Sequence, residues 1–97
     1  MNMTAMIYAR SVQRMKIDYV CNRMRLLLIY KFLEETDKDH PVTMKDIAAM
    51  LDKNDISWTQ KTVYEDLLAI EIADYRFKSK VIRTQKPHNV KYYWMEK

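Results

Sequence analysis

The chain has 97 residues, 48% of them hydrophobic and 31% charged, enough for one compact globular domain and too short for two. It holds no glycine and a single cysteine, Cys21, which excludes glycine-cradled phosphate loops, glycine-dependent nucleophile turns and any internal disulfide. The net charge of +4 is unevenly spread: residues 1–33 sum to +5, residues 34–74 to −7 and residues 75–97 to +6, so a polyanion meets the two ends of the chain first.

Taken in chain order, residues 1–20 form a cationic extension in which Met3, Met6, Ile7, Val12, Met15 and Tyr19 can line a helix, with Arg10, Arg14 and Lys16 supplying charge. A domain over 21–97 follows. From Met24 to Thr36 the apolar residues Leu26, Ile29, Tyr30 and Leu33 recur at helical spacing, and the stripe predicts an amphipathic helix. Pro41 cannot continue a helix and disfavours helical geometry at His40, so a turn is expected there. Thr43 then caps a second, short helix with Asp46 in its first turn, running to about Leu51 with Ile47, Met50 and Leu51 on one face.

The polar cluster Asp52–Asp55 reads as a turn, after which Ser57 or Thr59 caps a third helix through about Ala73 with Val63, Leu67 and Ile70 buried. Beyond Asp74 the period changes to two. Tyr75, Phe77 and Val81 alternate with Arg76, Lys78 and Lys80, and Val90, Tyr92 and Trp94 alternate with Lys91, Tyr93 and Met95, which predicts a hairpin turning over Thr84–Asn89. Helices followed by a basic hairpin give the expected fold class: mainly α with a C-terminal β-hairpin, a winged helix-turn-helix of three core helices plus a wing, with an extra N-terminal helical segment.

The segments Arg25–Asp37 (RLLLIYKFLEETD), His40–Ile47 (HPVTMKDI) and Gln60–Ala69 (QKTVYEDLLA) resemble the N-terminal DNA-binding domain of WYL-domain transcriptional regulators, itself a DeoR-like winged helix. The resemblance covers residues 24–77 and is strongest over Lys61–Leu67. It implies a cytoplasmic regulator of transcription, a repressor that stands alone without a WYL domain, binding duplex DNA as a homodimer. It departs from the family at Glu65, where arginine is frequent, and at Asp74, where glycine commonly provides a left-handed cap.

On this reading Thr59, Gln60, Lys61, Thr62 and Glu65 form the recognition surface, and Gln60 and Lys61 suit base edges or phosphates. Lys78, Lys80, Arg83, Lys86, His88 and Lys91 belong to the wing, while Arg10, Arg14 and Lys16 form an N-terminal arm. The wing cations equally suit a solvated edge strand that resists aggregation. Trp58 is expected to cap the turn between the last two helices, and Tyr64 to pack beneath the wing. Asp66 is expected to be structural, near Lys61 or the wing. His40 and His88 lie far apart without further ligands at metal spacing, so no metal or cofactor is assigned. The longest apolar run, Leu26–Tyr30, is far below the roughly 20 residues that span a bilayer. No nucleophile, oxyanion donor or cofactor motif points to an enzyme. The acidic middle and Glu65 keep a second reading open, a winged helix that binds a protein, such as a phage or mobile-element inhibitor of host nucleic-acid-handling machinery.

Overall fold

The computed structural model describes residues 14–84 and 89–97, with side chains from residue 20 onward. Helix α1 spans Arg14–Glu34, strand β1 Val42–Thr43, helix α2 Met44–Lys53, helix α3 Gln60–Ala73, strand β2 Phe77–Ile82 and strand β3 Val90–Met95. Among the described residues the chain is thus already helical at Arg14, ahead of the Met24 start of the apolar stripe. No proline or glycine interrupts residues 14–24, so nothing stops the helix there. The division expected at residue 20 falls inside this continuous helix.

Arg25, Ile29 and Leu33 recur every four residues along α1 and are buried, while Leu26, Tyr30 and Phe32 are half-buried against the core. The helix stops at Glu34, and just beyond it the Thr36 hydroxyl donates to the Leu33 carbonyl at 2.6 Å and accepts from the Met95 amide at 2.9 Å. One buried side chain thereby ends a helix and anchors the last strand.

Helix α2 starts in a capping box: the Thr43 hydroxyl accepts from the Asp46 amide at 3.3 Å, and the Asp46 carboxylate accepts from the Thr43 amide at 2.9 Å. It ends in a Schellman arrangement, with the Ile56 amide on the Leu51 carbonyl at 3.0 Å and the Asp55 amide on the Asp52 carbonyl at 3.1 Å. That motif needs a left-handed residue, and in a chain without glycine Asp55 takes it, at φ 56. Trp58 caps this turn as expected: its indole N–H donates to Asp52 Oδ1 at 2.8 Å and its ring packs against the core.

Helix α3 buries Val63, Asp66, Leu67 and Ile70. It ends at Asp74 in extended backbone, φ −132 and ψ 112, so the left-handed cap suggested by the family position does not form. Asp74 is held instead by side-chain bonds: it accepts from the Tyr30 hydroxyl at 2.6 Å and from Arg76 Nη2 at 2.8 Å, while Arg76 also reaches Glu34 Oε1 at 2.5 Å.

The strands form one antiparallel sheet in the order β1-β3-β2. β1 was not predicted, because two residues are too few to display a period. In the hairpin Phe77 faces Met95, Ser79 faces Tyr93 and Val81 faces Lys91. Tyr93 and Met95 are the buried set of β3, so Val90, Tyr92 and Trp94 occupy the other face. Both alternating sets of β3 are largely apolar, so the period alone could not choose between them. The anchor from Thr36 to Met95 and the central position of β3 decide it. Tyr75 and Val81, which share Phe77's parity, are exposed. The core is Ile29, Leu33, Ile47, Leu51, Val63, Leu67, Ile70, Phe77, Tyr93 and Met95. Helices and sheet together make a winged helix. Among the described residues no helix is long and apolar enough to cross a membrane.

Candidate nucleic-acid interface

The first turn of α3 begins at a reciprocal cap in which the Thr59 hydroxyl accepts from the Thr62 amide at 3.2 Å and Thr62 Oγ1 accepts from the Thr59 amide at 3.0 Å. Both hydroxyls are therefore committed to the helix start. Gln60, Lys61 and Glu65 remain exposed. Gln60 Nε2 donates to the Tyr64 hydroxyl at 3.4 Å, which ties the first turn to the next one.

Tyr64 leads into an open cleft of about 400 Å³ lined by Thr43, Met44, Lys45, Tyr64, Asn89, Val90, Lys91 and Tyr93. The start of α2, the flank of α3 and the turn-side end of β3 thus meet on one surface. Lys91 stands 5.7 Å from the centre of the Tyr93 ring, a cation–π contact that holds its ammonium over the cleft. Burial, with the Tyr64 hydroxyl nearby, pushes the Tyr93 hydroxyl up to about 12, so this floor stays neutral across the physiological range. Tyr64 packs toward the wing as expected but remains 46% exposed.

The predicted wing residues divide. Lys91 joins the cleft beside α3. Lys80 is exposed opposite Tyr92, on the far face of the hairpin, and Arg83 is exposed just past the end of β2. Lys78 sits at the base of the hairpin, where its ammonium donates to the Tyr75 carbonyl at 3.2 Å and lines a separate hollow with Tyr75, Arg76, Glu96 and Lys97. Lys86 and His88 lie outside the described residues, as does Arg10; Arg14 and Lys16 lie on the first turn of α1. Arg76, alternating with the wing lysines in sequence, is taken up by Glu34 and Asp74. Those two carboxylates raise its affinity for its proton, and it in turn holds Asp74 and Glu34 below their ordinary values.

Asp66 pairs with neither Lys61 nor the wing. Arg25 of α1 grips it from two nitrogens, Nε to Oδ2 at 2.5 Å and Nη2 to Oδ1 at 3.3 Å, while Asn22 Oδ1 accepts from Arg25 Nη1 at 2.9 Å. This buried fork fixes the rotation of α3 against α1. Its role is structural, as expected, with a different partner.

Sequence reasoning missed Lys45. It follows Met44 at the start of α2 and is exposed in the cleft. A signal was present, since a cation in the first turn opposes the helix dipole by about 0.3–1 kcal/mol. Lys61 occupies the equivalent position of α3. In α2 the capping Asp46 lies in the same turn and offsets Lys45, whereas the first turn of α3 holds no acidic residue to offset Lys61.

No family model matches this chain, and no curated protein matches it. Among solved structures, a PadR-like transcription factor from Bacteroides fragilis is similar over 86% of this chain and 75% of that one, with a TM-score of 0.61 at 17% identity. A likeness of that degree establishes the shared winged-helix fold.

Proposed function

We propose that this chain binds duplex DNA and regulates transcription, with the first turn of α3 entering the major groove and the cleft cations meeting the backbone beside it. The observation that carries the reading is the convergence of Lys45 from α2, Tyr64 from α3 and Lys91 from the wing on one cleft, one turn from Gln60 and Lys61. Gln60 and Lys61 suit base edges, and Lys45 and Lys91 suit phosphates. Lys80, Arg83, Lys86 and His88 extend the wing contact, and Arg10, Arg14 and Lys16 extend the basic surface along the backbone. Lys78 and the cap hydroxyls of Thr59 and Thr62 take no direct part. Glu65 lowers general phosphate affinity and so shifts reliance to base contacts.

The fold shared with a PadR-like transcription factor supports this reading, as does the resemblance of Lys61–Leu67 to the WYL-regulator recognition helix. A stand-alone repressor whose DNA-binding unit spans residues 21–97 is the finer form. The test is a titration of the full chain against a randomised duplex pool, followed by titration of the enriched duplex at several salt concentrations. Enrichment of one sequence with steep salt dependence supports the proposal; salt-insensitive capture of a protein instead favours the second reading. A specific feature motivates that second reading: the C-terminal half of α3 exposes Leu68 and Ile72 beside Glu65 and Glu71.

A further inference from the structure

Four of the eight large hydrophobic residues exposed in the described structure, Tyr64, Leu68, Ile72 and Tyr75, fall on α3 and the turn after it. Leu68 and Ile72 lie two positions on either side of buried Ile70, roughly 200° around the helix, and so point directly away from the core. They are 55% and 79% exposed, and Tyr75 is 87% exposed. Single exposed apolar side chains are ordinary, but a continuous row on one helix face marks a surface that something covers. Thymine methyl groups are the only apolar feature of a major groove, so this half of α3 gains little from DNA.

We infer that a second copy of this chain covers the row, with the two α3 helices packed antiparallel through Leu68, Ile72 and Tyr75. Charge argues for this occupant and this direction. Glu65 stands one turn before Leu68, and the Lys78 ammonium sits 3.2 Å from the Tyr75 carbonyl at the other end of the row. Antiparallel pairing brings Glu65 of each copy toward Lys78 of the other, two opposite-charge approaches set against the single approach of the exposed Glu71 carboxylates near the centre, whereas parallel pairing sets Glu65, Glu71 and Lys78 each against its own copy.

The spacing argues for it as well, and that argument rests on the DNA reading proposed above. The row from Leu68 to Tyr75 is centred between residues 71 and 72, and Gln60 precedes that point by about 17 Å at 1.5 Å per residue. Pairing about that centre separates the two Gln60 turns by about 34 Å. Successive major-groove half-sites on one face of a duplex lie about 34–36 Å apart.

The experiment is sedimentation velocity of the full chain, without DNA, over a concentration series. The parent sediments as a dimer, and Leu68→Glu and Ile72→Glu each weaken dimerisation by roughly tenfold or more with thermal melts close to the parent, since both side chains are solvent-facing. Glu65→Lys and Lys78→Glu each weaken it, and the double swap restores it. A parent that stays monomeric at its highest soluble concentration overturns the inference. So does a dimer unmoved by Leu68→Glu and Ile72→Glu, or a double swap that fails to restore. Because no DNA is present, these outcomes are independent of whether the chain reads a duplex.

Discussion

Arg25 and Asp66, 41 positions apart in sequence, meet in a buried two-pronged ion pair with the Nε to Oδ2 contact at 2.5 Å. Their side chains are 8% and 11% exposed, so neither finds water if the other is lost. The pair ties α1 to the buried face of α3, and it sets how α3 presents Gln60 and Lys61.

Breaking it from one side is expected to be costly. Arg25→Ala strands a buried carboxylate and destabilises the fold by about 3–5 kcal/mol, whereas Arg25→Met with Asp66→Leu restores most of that loss, because a packed apolar pair needs no desolvation. Urea denaturation of the two singles and the double forms the cycle. A double no more stable than Arg25→Ala would show that the charges themselves hold the helices together.

The left-handed Asp55 is a second point of leverage. Glycine occupies that conformation without the Cβ penalty, so Asp55→Gly is expected to raise stability by about 0.5–1 kcal/mol. The measurement is the shift in denaturation midpoint at constant slope. A destabilised variant would mean that the Asp55 side chain supplies more than the turn's backbone requires.

Acid and alkali attack different parts of the fold. Asp74 and Glu34 are held below their ordinary values of 3.8 and 4.5, chiefly by hydrogen bonds from Arg76. Their contribution is full above those values and disappears as pH falls through the lower folded values, because the unfolded chain then binds protons that the fold cannot. Tyr93 behaves oppositely: raised from 10.0 to about 12 by burial, it stabilises the fold below pH 10 and loses that contribution as pH climbs from there toward 12. Stability measured by urea denaturation should be flat from about pH 5 to 9 and fall on both sides. Asp74→Asn should flatten the acid limb and also soften the alkaline limb, because the bond to Asp74 is what chiefly holds the Tyr30 hydroxyl above its ordinary value; an acid limb that keeps its slope would place the responsible carboxylates elsewhere.

Much of this architecture was legible in the sequence wherever a period or a cap is local. The Leu33, Leu67 and Ile70 stripes, the Thr43 and Thr59 caps and the change of period after Asp74 all appear where expected, because each depends on neighbours within about one helical turn or one strand pair. What the sequence concealed depends on tertiary pairing. The two-residue strand Val42–Thr43 exists because Tyr92 and Tyr93 pair with it. Arg25 and Asp66, Arg76 and Glu34, and Thr36 and Met95 are each joined across more than 40 positions, beyond the reach of any local pattern. The candidate interface was legible in the same measure: Gln60 and Lys61 could be read from the helix start, whereas the meeting of Lys45, Tyr64 and Lys91 follows from how the wing folds back on α2 and α3.

The most direct measurement of the central claim is a salt-dependent binding titration of the parent, Gln60→Ala, Lys45→Ala and Lys91→Ala against the duplex enriched from a random pool and a scrambled one. Gln60→Ala should lose about 1–3 kcal/mol on the enriched duplex and relax preference at one base pair. Lys45→Ala and Lys91→Ala should weaken both duplexes alike and lower the salt slope by about one each. A parent that binds neither duplex even at low salt, or variants whose affinity and salt slope match the parent's, would contradict the claim that this cleft and helix turn read DNA.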